Sequence, residues 1–276
     1  MTQRPRYSAP LSAAEQAEFV PFMHELVATA TAVIKPLFMS GTAVDSKGDA
    51  SPVTAADRGA EAAMRTLIEA RYPAQAIVGE EYGNKPGAGY RWILDPVDGT
   101  RAFISHCFLF GTLIALERAE ADGWKPVLGA IAHPVAGLAL LGHASEARLH
   151  AADGSSRVVQ VRPCAQLAQA TVLASSHWST GEQQGGAAIE RLIRVAKLYR
   201  TWGDCFGYFA LATGGADLML DPQLAYWDVA AIVPVIEGAG GCVTAWDGGD
   251  PLRDLTLIAS AGPLHEEVLA LLRAAD

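Results

Sequence analysis

The sequence predicts a mixed α+β protein in two lobes, on three observations. Apolar residues recur at helical spacing near the N-terminus. Short apolar runs separated by Gly, Pro and Asp begin at Ala76, and from Val161 strand-like and helix-like segments alternate. With 276 residues, 50% hydrophobic and 18% charged, the chain can bury a sizeable core and lacks the composition of a disordered protein.

The elements follow in order. Phe19, Met23, Leu26, Val27, Ala30, Val33, Ile34 and Leu37 predict a helix over 15–37, with Pro21 in its first turn or at a kink. The polar, breaker-rich stretch 46–52 predicts a loop. A second amphipathic helix is expected over 55–70, with Ala60, Ala63, Met64, Leu67 and Ile68 inward. Asp57 falls in its first turn, where the helix dipole favours a carboxylate. Strands are predicted at 76–78, 92–94, 112–116, 127–132, 138–141 and 157–161, with a turn at 151–156. Further strands are expected at 172–174, 198–199, 218–220, 242–244 and 257–259. Helices are expected at 187–197, 204–212, 227–238 and 263–274. The expected division is an N-terminal α+β lobe, 1–155, and a C-terminal α/β lobe, 156–276, packed as one unit.

The net charge of −9 leaves no basic stripe to neutralise a phosphate backbone, which argues against nucleic-acid binding. An acidic chain that handles an anionic substrate needs cations at its site. Cys107, Cys164, Cys205 and Cys242 are scattered and read as reduced thiols. Residues 1–10 carry no apolar signal core, and no uninterrupted apolar run approaches the ~20 residues of a membrane helix. A cytoplasmic protein with no membrane partner is the expectation.

The chemistry concentrates in Asp95-Pro96-Val97-Asp98-Gly99-Thr100 and in Trp227-Asp228-Val229-Ala230-Ala231. Asp95 ends an apolar run, and Pro96 fixes its own φ and helps the turn that brings Asp98 beside Asp95. Two close carboxylates repel unless cations lie between them, and magnesium prefers carboxylate, carbonyl and water oxygens. The Val97 carbonyl offers a third oxygen. Gly99 allows close backbone approach, and Thr100 opens a helix whose free N–H groups can receive phosphate. With Glu80-Glu81 upstream, this set points to phosphate-ester hydrolysis. Each piece also has a plain reading: an Asp-Pro-x-Asp-Gly turn, a helix-start Asp57, an N-cap Asp228, surface glutamates.

Together, Gly79-Glu80-Glu81, the Asp95–Thr100 motif and Trp227–Ala231 followed by Gly238-Ala239-Gly240-Gly241 resemble the signatures of the inositol monophosphatase superfamily, in the right order from about Glu15 to the C-terminus. The resemblance implies a layered αβαβα sandwich, a homodimer, and magnesium-dependent, lithium-sensitive phosphatase activity. It implies Glu80, Asp95, Asp98 and Asp228 as side-chain ligands for two or three Mg2+ and the Val97 carbonyl as another. Asp57 would assist removal of a proton from the attacking water that Thr100 orients, with Glu80 counted beside them. Gly99 and Thr100 would bind phosphate. Lys47 and Asp49 precede Val53-Thr54 much as a basic loop does in relatives.

Three stretches resemble the histidinol-phosphatase branch: Arg101 after Thr100, residues 110–116, and 200–208 with Asp204. A carboxylate at Asp204 would suit the amine or imidazole of histidinol phosphate. Asp221, seven residues before Asp228, matches a position that contacts the organic part of the substrate. Asp204 can equally be an N-cap, Arg101 a surface ion-pair partner and Asp221-Pro222 a turn. His106-Cys107-Phe108 stands where the family often has Gly-x-Pro, and the 132–139 stretch lacks a tryptophan associated with that branch. A small phosphorylated metabolite is the expected partner. An inositol or broad sugar- or polyol-phosphate phosphatase is the alternative, and an inactive regulatory homologue a remote one, which the intact carboxylate set opposes.

Overall fold

The computed structural model describes residues 6–41, 44–46, 52–177 and 186–273. Lys47 and Asp49 of the expected basic loop lie outside them. The helices are α1 (Ala13–Leu37), α2 (Ala55–Arg71), α3 (Thr100–Ile104), α4 (Gly186–Val195), α5 (Asp204–Ala212), α6 (Tyr226–Gly238), α7 (Pro251–Asp254) and α8 (Gly262–Arg273). A capping box starts α1, in which Ser12 and Glu15 exchange side-chain and backbone hydrogen bonds. By length and hydropathy α1 would pass for a membrane span. Its Phe22, Met23, Leu26, Ala30 and Ile34 are nevertheless fully buried against the rest of the chain, while Glu18 and Glu25 face outward.

An eight-stranded sheet runs β10-β9-β8-β7-β6-β5-β3-β4. Its strands are β3 (Ala76–Gly79), β4 (Gly83–Lys85), β5 (Tyr90–Asp98), β6 (Gly111–Glu120), β7 (Gly123–His133), β8 (Leu138–His143), β9 (Glu146–Ala151) and β10 (Ser156–Val159). All neighbours are antiparallel except β3 and β5. A five-stranded sheet runs β12-β11-β13-β15-β14, from β11 (Thr171–Ala174), β12 (Leu198–Arg200), β13 (Leu218–Asp221), β14 (Cys242–Thr244) and β15 (Leu257–Ser260). A two-stranded ribbon pairs β1 (Val44–Ser46) with β2 (Pro52–Thr54).

Period-two alternation explains the layering. Trp92, Leu94, Ile114 and Leu116 point into one core with α1 and α2. Ile93, Leu113, Ala115 and Ile131 point into another, with α5, α6, Met219 and Ala259. The far face of the small sheet packs Ile189 of α4 and Leu264 and Val268 of α8. The order is helix, sheet, helix, sheet, helix, the layered sandwich expected. β10 lies beyond residue 155 yet pairs with β9, so the larger sheet draws on residues to 159.

Several expected boundaries shift. β5 runs past Leu94 through Pro96 to Asp98, because a bulge absorbs the proline (Asp95 opposes Leu113 but Asp98 opposes Gly111). β9 was not expected: only Ala147 is buried in it, so its hydropathy is low. β4 and α7 are too short for periodicity to reveal.

The buried helix α6 lies close on the large sheet because Gly129 and Gly142 carry no side chain there. A Cβ on Gly129 would fall 2.1 Å from the Ala231 carbonyl oxygen, and one on Gly142 would fall 2.4 Å from Val235 Cα. Gly129→Ala should therefore lower folding stability by about 1–3 kcal/mol in urea denaturation, through overpacking against a rigid backbone.

Candidate active site

The acidic residues converge where the two sheets meet α6. Asp95 and Asp98, three apart, would point to opposite faces of a regular strand; the bulge at Pro96 and Val97 brings them together. The buried Thr112 hydroxyl donates to the Pro96 carbonyl oxygen at 2.7 Å and fixes that bulge. Asp228 comes from the first turn of α6. It is not the N-cap, which is Ala225, but its Oδ2 accepts the Ala225 N–H at 2.8 Å. Ligand oxygens of Asp95, Asp98 and Asp228 lie within 4.8 Å of one another. Glu80 follows β3, its amide donating to the Leu94 carbonyl at 3.2 Å, and its charge bears on Asp95.

The donor set fits a hard divalent cation. Asp95 Oδ1 is buried with no hydrogen-bond partner among the described residues. Burial, then the charges of Glu80, Asp98 and Asp228, push the Asp95 carboxyl well above its ordinary range. Burial and the charges of Asp228 and Asp204 do the same to Asp98, against the opposing hydrogen bonds from Cys205. Asp228 is pushed up to about 7, chiefly by burial. Carboxylates so placed are stable as anions only beside positive charge.

Beside them lie Asp57 and Thr100. Thr54 caps α2 and donates its N–H and its hydroxyl to Asp57 Oδ2 at 2.8 and 2.6 Å. Asp57 Oδ1 is left facing the Thr100 hydroxyl at 3.4 Å. That hydroxyl donates to the Val97 carbonyl at 3.0 Å, so the oxygen expected as a metal ligand keeps one lone pair for that role. Gly99 is left-handed, φ 78°, and caps α3. With five residues, α3 offers its first free amides to an anion more than any sizeable dipole.

Beside the cluster is a cavity of about 170 Å³ bordered by Asp98, Ser175, Asp204, Tyr208, Asp221 and Asp228, among others. Asp204 is the first residue of α5, with Gly203 as N-cap, and holds φ 49°, a strained value for a non-glycine. The Ser175 hydroxyl accepts the Asp204 N–H at 2.8 Å. Asp221 is buried and accepts from Tyr208 Oη at 2.7 Å and Ser175 N at 3.2 Å; burial pushes it up to about 7. Arg101 is exposed and its charge partly offsets the burial penalty on Asp204. His106 borders a separate cleft with Thr54 and Phe103. Sequence reading missed Ser175, and within the stretch 200–208 it gave no role to Cys205 or Tyr208. Cys205 donates its N–H to Asp98 Oδ2 at 2.5 Å. Only the position of Ser175 at the end of a predicted strand could have flagged it.

A layered sandwich whose sheets meet at an acid cluster beside a capped threonine is the architecture of a phosphatase. The inositol monophosphatase family model matches residues 15–276, and the chain belongs to that family. The histidinol-phosphatase of Chlorobaculum parvum is 37% identical over 220 residues, 79% of this chain and 82% of that protein. That of Streptomyces coelicolor is 33% identical over 241 residues, 83% of this chain and 86% of that protein. The solved structure of an inositol monophosphatase from Zymomonas mobilis superposes with a TM-score of 0.81 at 35% identity, covering 95% of this chain and all of that one.

Without metal, folding raises the Asp228 carboxyl from 3.8 to about 7. The folded state then binds more protons than the unfolded chain, so this contribution stabilises at acid pH and is lost as pH rises towards 7. In EDTA, the melting temperature should fall between about pH 4 and pH 7, and the fall should shrink in Asp228→Asn. Added Mg2+ should restore the wild type near neutrality and leave that variant unmoved, as thermal unfolding will read.

Proposed function

We propose that this chain is a magnesium-dependent phosphomonoesterase that hydrolyses L-histidinol phosphate to L-histidinol and phosphate. The observation that carries the substrate is Asp204. It borders the cavity beside the acid cluster, and its carboxylate has no hydrogen-bond donor among the described residues. Glu80, Asp95, Asp98 and Asp228 would hold two or three Mg2+. This leaves Asp204, with Asp221 behind it, facing the leaving alcohol; burial raises both carboxyls, so a cation beside them would favour their ionised form. A cationic amine or imidazole suits that wall better than an uncharged polyol. The names of the curated relatives support the same branch.

Bound magnesium would acidify the attacking water and offset charge on the phosphoryl oxygens. The chain's part is positional. Thr100 Oγ1, donating to Val97, keeps its lone pairs for a hydrogen of that water, and Asp57 Oδ1 beside it takes the proton. Thr54 holds the other Asp57 oxygen, so the accepting one keeps its aim. The free amides after Gly99 would receive phosphate oxygens, and exposed Arg101 lies near enough for its charge to bear on Asp204. Lithium sensitivity and a homodimer, which rest on family likeness, and the cytoplasmic location expected from composition complete the proposal. Inositol 1-phosphate or a wider range of sugar and polyol phosphates is the second reading, favoured by the 35% identity to the Zymomonas mobilis protein.

Phosphate release with Mg2+ from histidinol phosphate, inositol 1-phosphate and glycerol 2-phosphate separates these. We expect preference for the first; a flat profile overturns it. Asp204→Asn should raise KM for histidinol phosphate about tenfold and leave glycerol 2-phosphate little changed. Thr100→Ala should lower kcat at least about a hundredfold on every ester, and release in EDTA should vanish.

A further inference from the structure

Glu61 is fully buried on α2, one turn after Asp57, and makes no contact with the acid-lined cavity. Its two carboxylate oxygens are spent on the turn that follows β3. Oε2 accepts the Glu81 N–H at 2.7 Å and Oε1 the Tyr82 N–H at 3.1 Å. Arg65, the next turn of the helix, donates Nε to Glu61 Oε1 at 2.7 Å and its Nη2 to the Gly83 carbonyl. Residues 81 to 83 are thus gripped by one ion pair, and the Glu80 N–H is held by β5 at Leu94. The grip is close: a Cβ on Gly79 would fall 2.0 Å from Glu61 Oε1.

We propose that Glu61, with Arg65, is a positioning residue for Glu80. It fixes the backbone of the Glu80 turn so that this carboxylate meets Asp95 with little freedom left to lose. A surface helix ion pair contributes little by itself. This one instead joins two part-buried backbone amides and a carbonyl to the helix that also carries Asp57. The turn and Asp57 therefore move as one body. The inference rests on the reading of Glu80 as a metal ligand and adds how that ligand is held.

Isothermal titration of the EDTA-treated, dialysed protein with Mg2+ tests it, alongside the melting temperature without metal. Glu61→Gln keeps the volume but offers one acceptor oxygen for two amides, so Mg2+ affinity should fall about tenfold, as for loss of a ligand's supporting partner. Arg65→Met, at a partly exposed site, should weaken binding in the same direction and serves if Glu61→Gln does not fold. Unchanged Mg2+ affinity in a folded Glu61→Gln or Arg65→Met, whatever its melting temperature, overturns the positioning role. Glu80→Gln separates the two claims. If it binds Mg2+ as the wild type does, the ligand reading itself fails; if it binds weakly while both supporting variants bind normally, only the positioning role fails.

Discussion

Asp95, Asp98 and Asp228 repel one another, and much of the molecule is organised around holding them together. With ligand atoms inside 4.8 Å and an effective dielectric of about 20, each pair costs about 3 kcal/mol or more when ionised. Among the described residues, no Lys or Arg borders the cavity that Asp98 and Asp228 share. The opposing work is done by packing. α6 is buried along nearly its whole length and lies against glycines of the large sheet, so Asp228 cannot retreat. At the far end, Glu237 accepts the amides of Tyr7 and Ser8, which ties the N-terminal segment to the same helix.

One device recurs among the site's carboxylates. Asp57 Oδ2 is held by Thr54, Asp98 Oδ2 by the Cys205 amide and Asp228 Oδ2 by the Ala225 amide. Each side chain has one oxygen fixed by the fold. Held this way, a carboxylate surrenders little conformational entropy when a cation arrives. The same hydrogen bonds favour the anion and partly offset the burial that pushes Asp98 and Asp228 upward. The cluster is thus poised: too costly to stay fully ionised alone, and already aimed for positive charge.

The chemistry half of this arrangement was legible in the sequence, because Asp95, Asp98, Thr100 and Asp228 sit at strand ends and helix starts that hydropathy locates. The helix 204–212 and most inner strands were legible for the same reason: their side chains alternate or recur with burial. What the sequence hid were relations across distance. Nothing local says that β5 survives Pro96, because the bulge depends on Thr112 from the next strand. Nothing local says that Asp204 sits inside its helix at positive φ with Gly203 as cap, because Ser175, 29 residues away, takes its amide. β9 escaped because a strand that buries one alanine carries no hydrophobic signature.

The two halves of the site meet at Gly99. A side chain there would be strained at φ 78°, and its Cβ would fall 2.8 Å from Asp204 Oδ2. The residue proposed to free backbone amides for phosphate is therefore also the one that lets Asp204 approach the Asp95–Thr100 motif. Asp204 and Asp221 are both tied through Ser175 to the end of β11 in the small sheet, whereas Asp95 and Asp98 belong to the large one. The relative placement of the sheets sets the distance between the Asp95–Asp98 pair and the Asp204–Asp221 pair. α5 and α6, packed between those sheets, hold that distance, because their first turns supply Asp204 and Asp228 themselves.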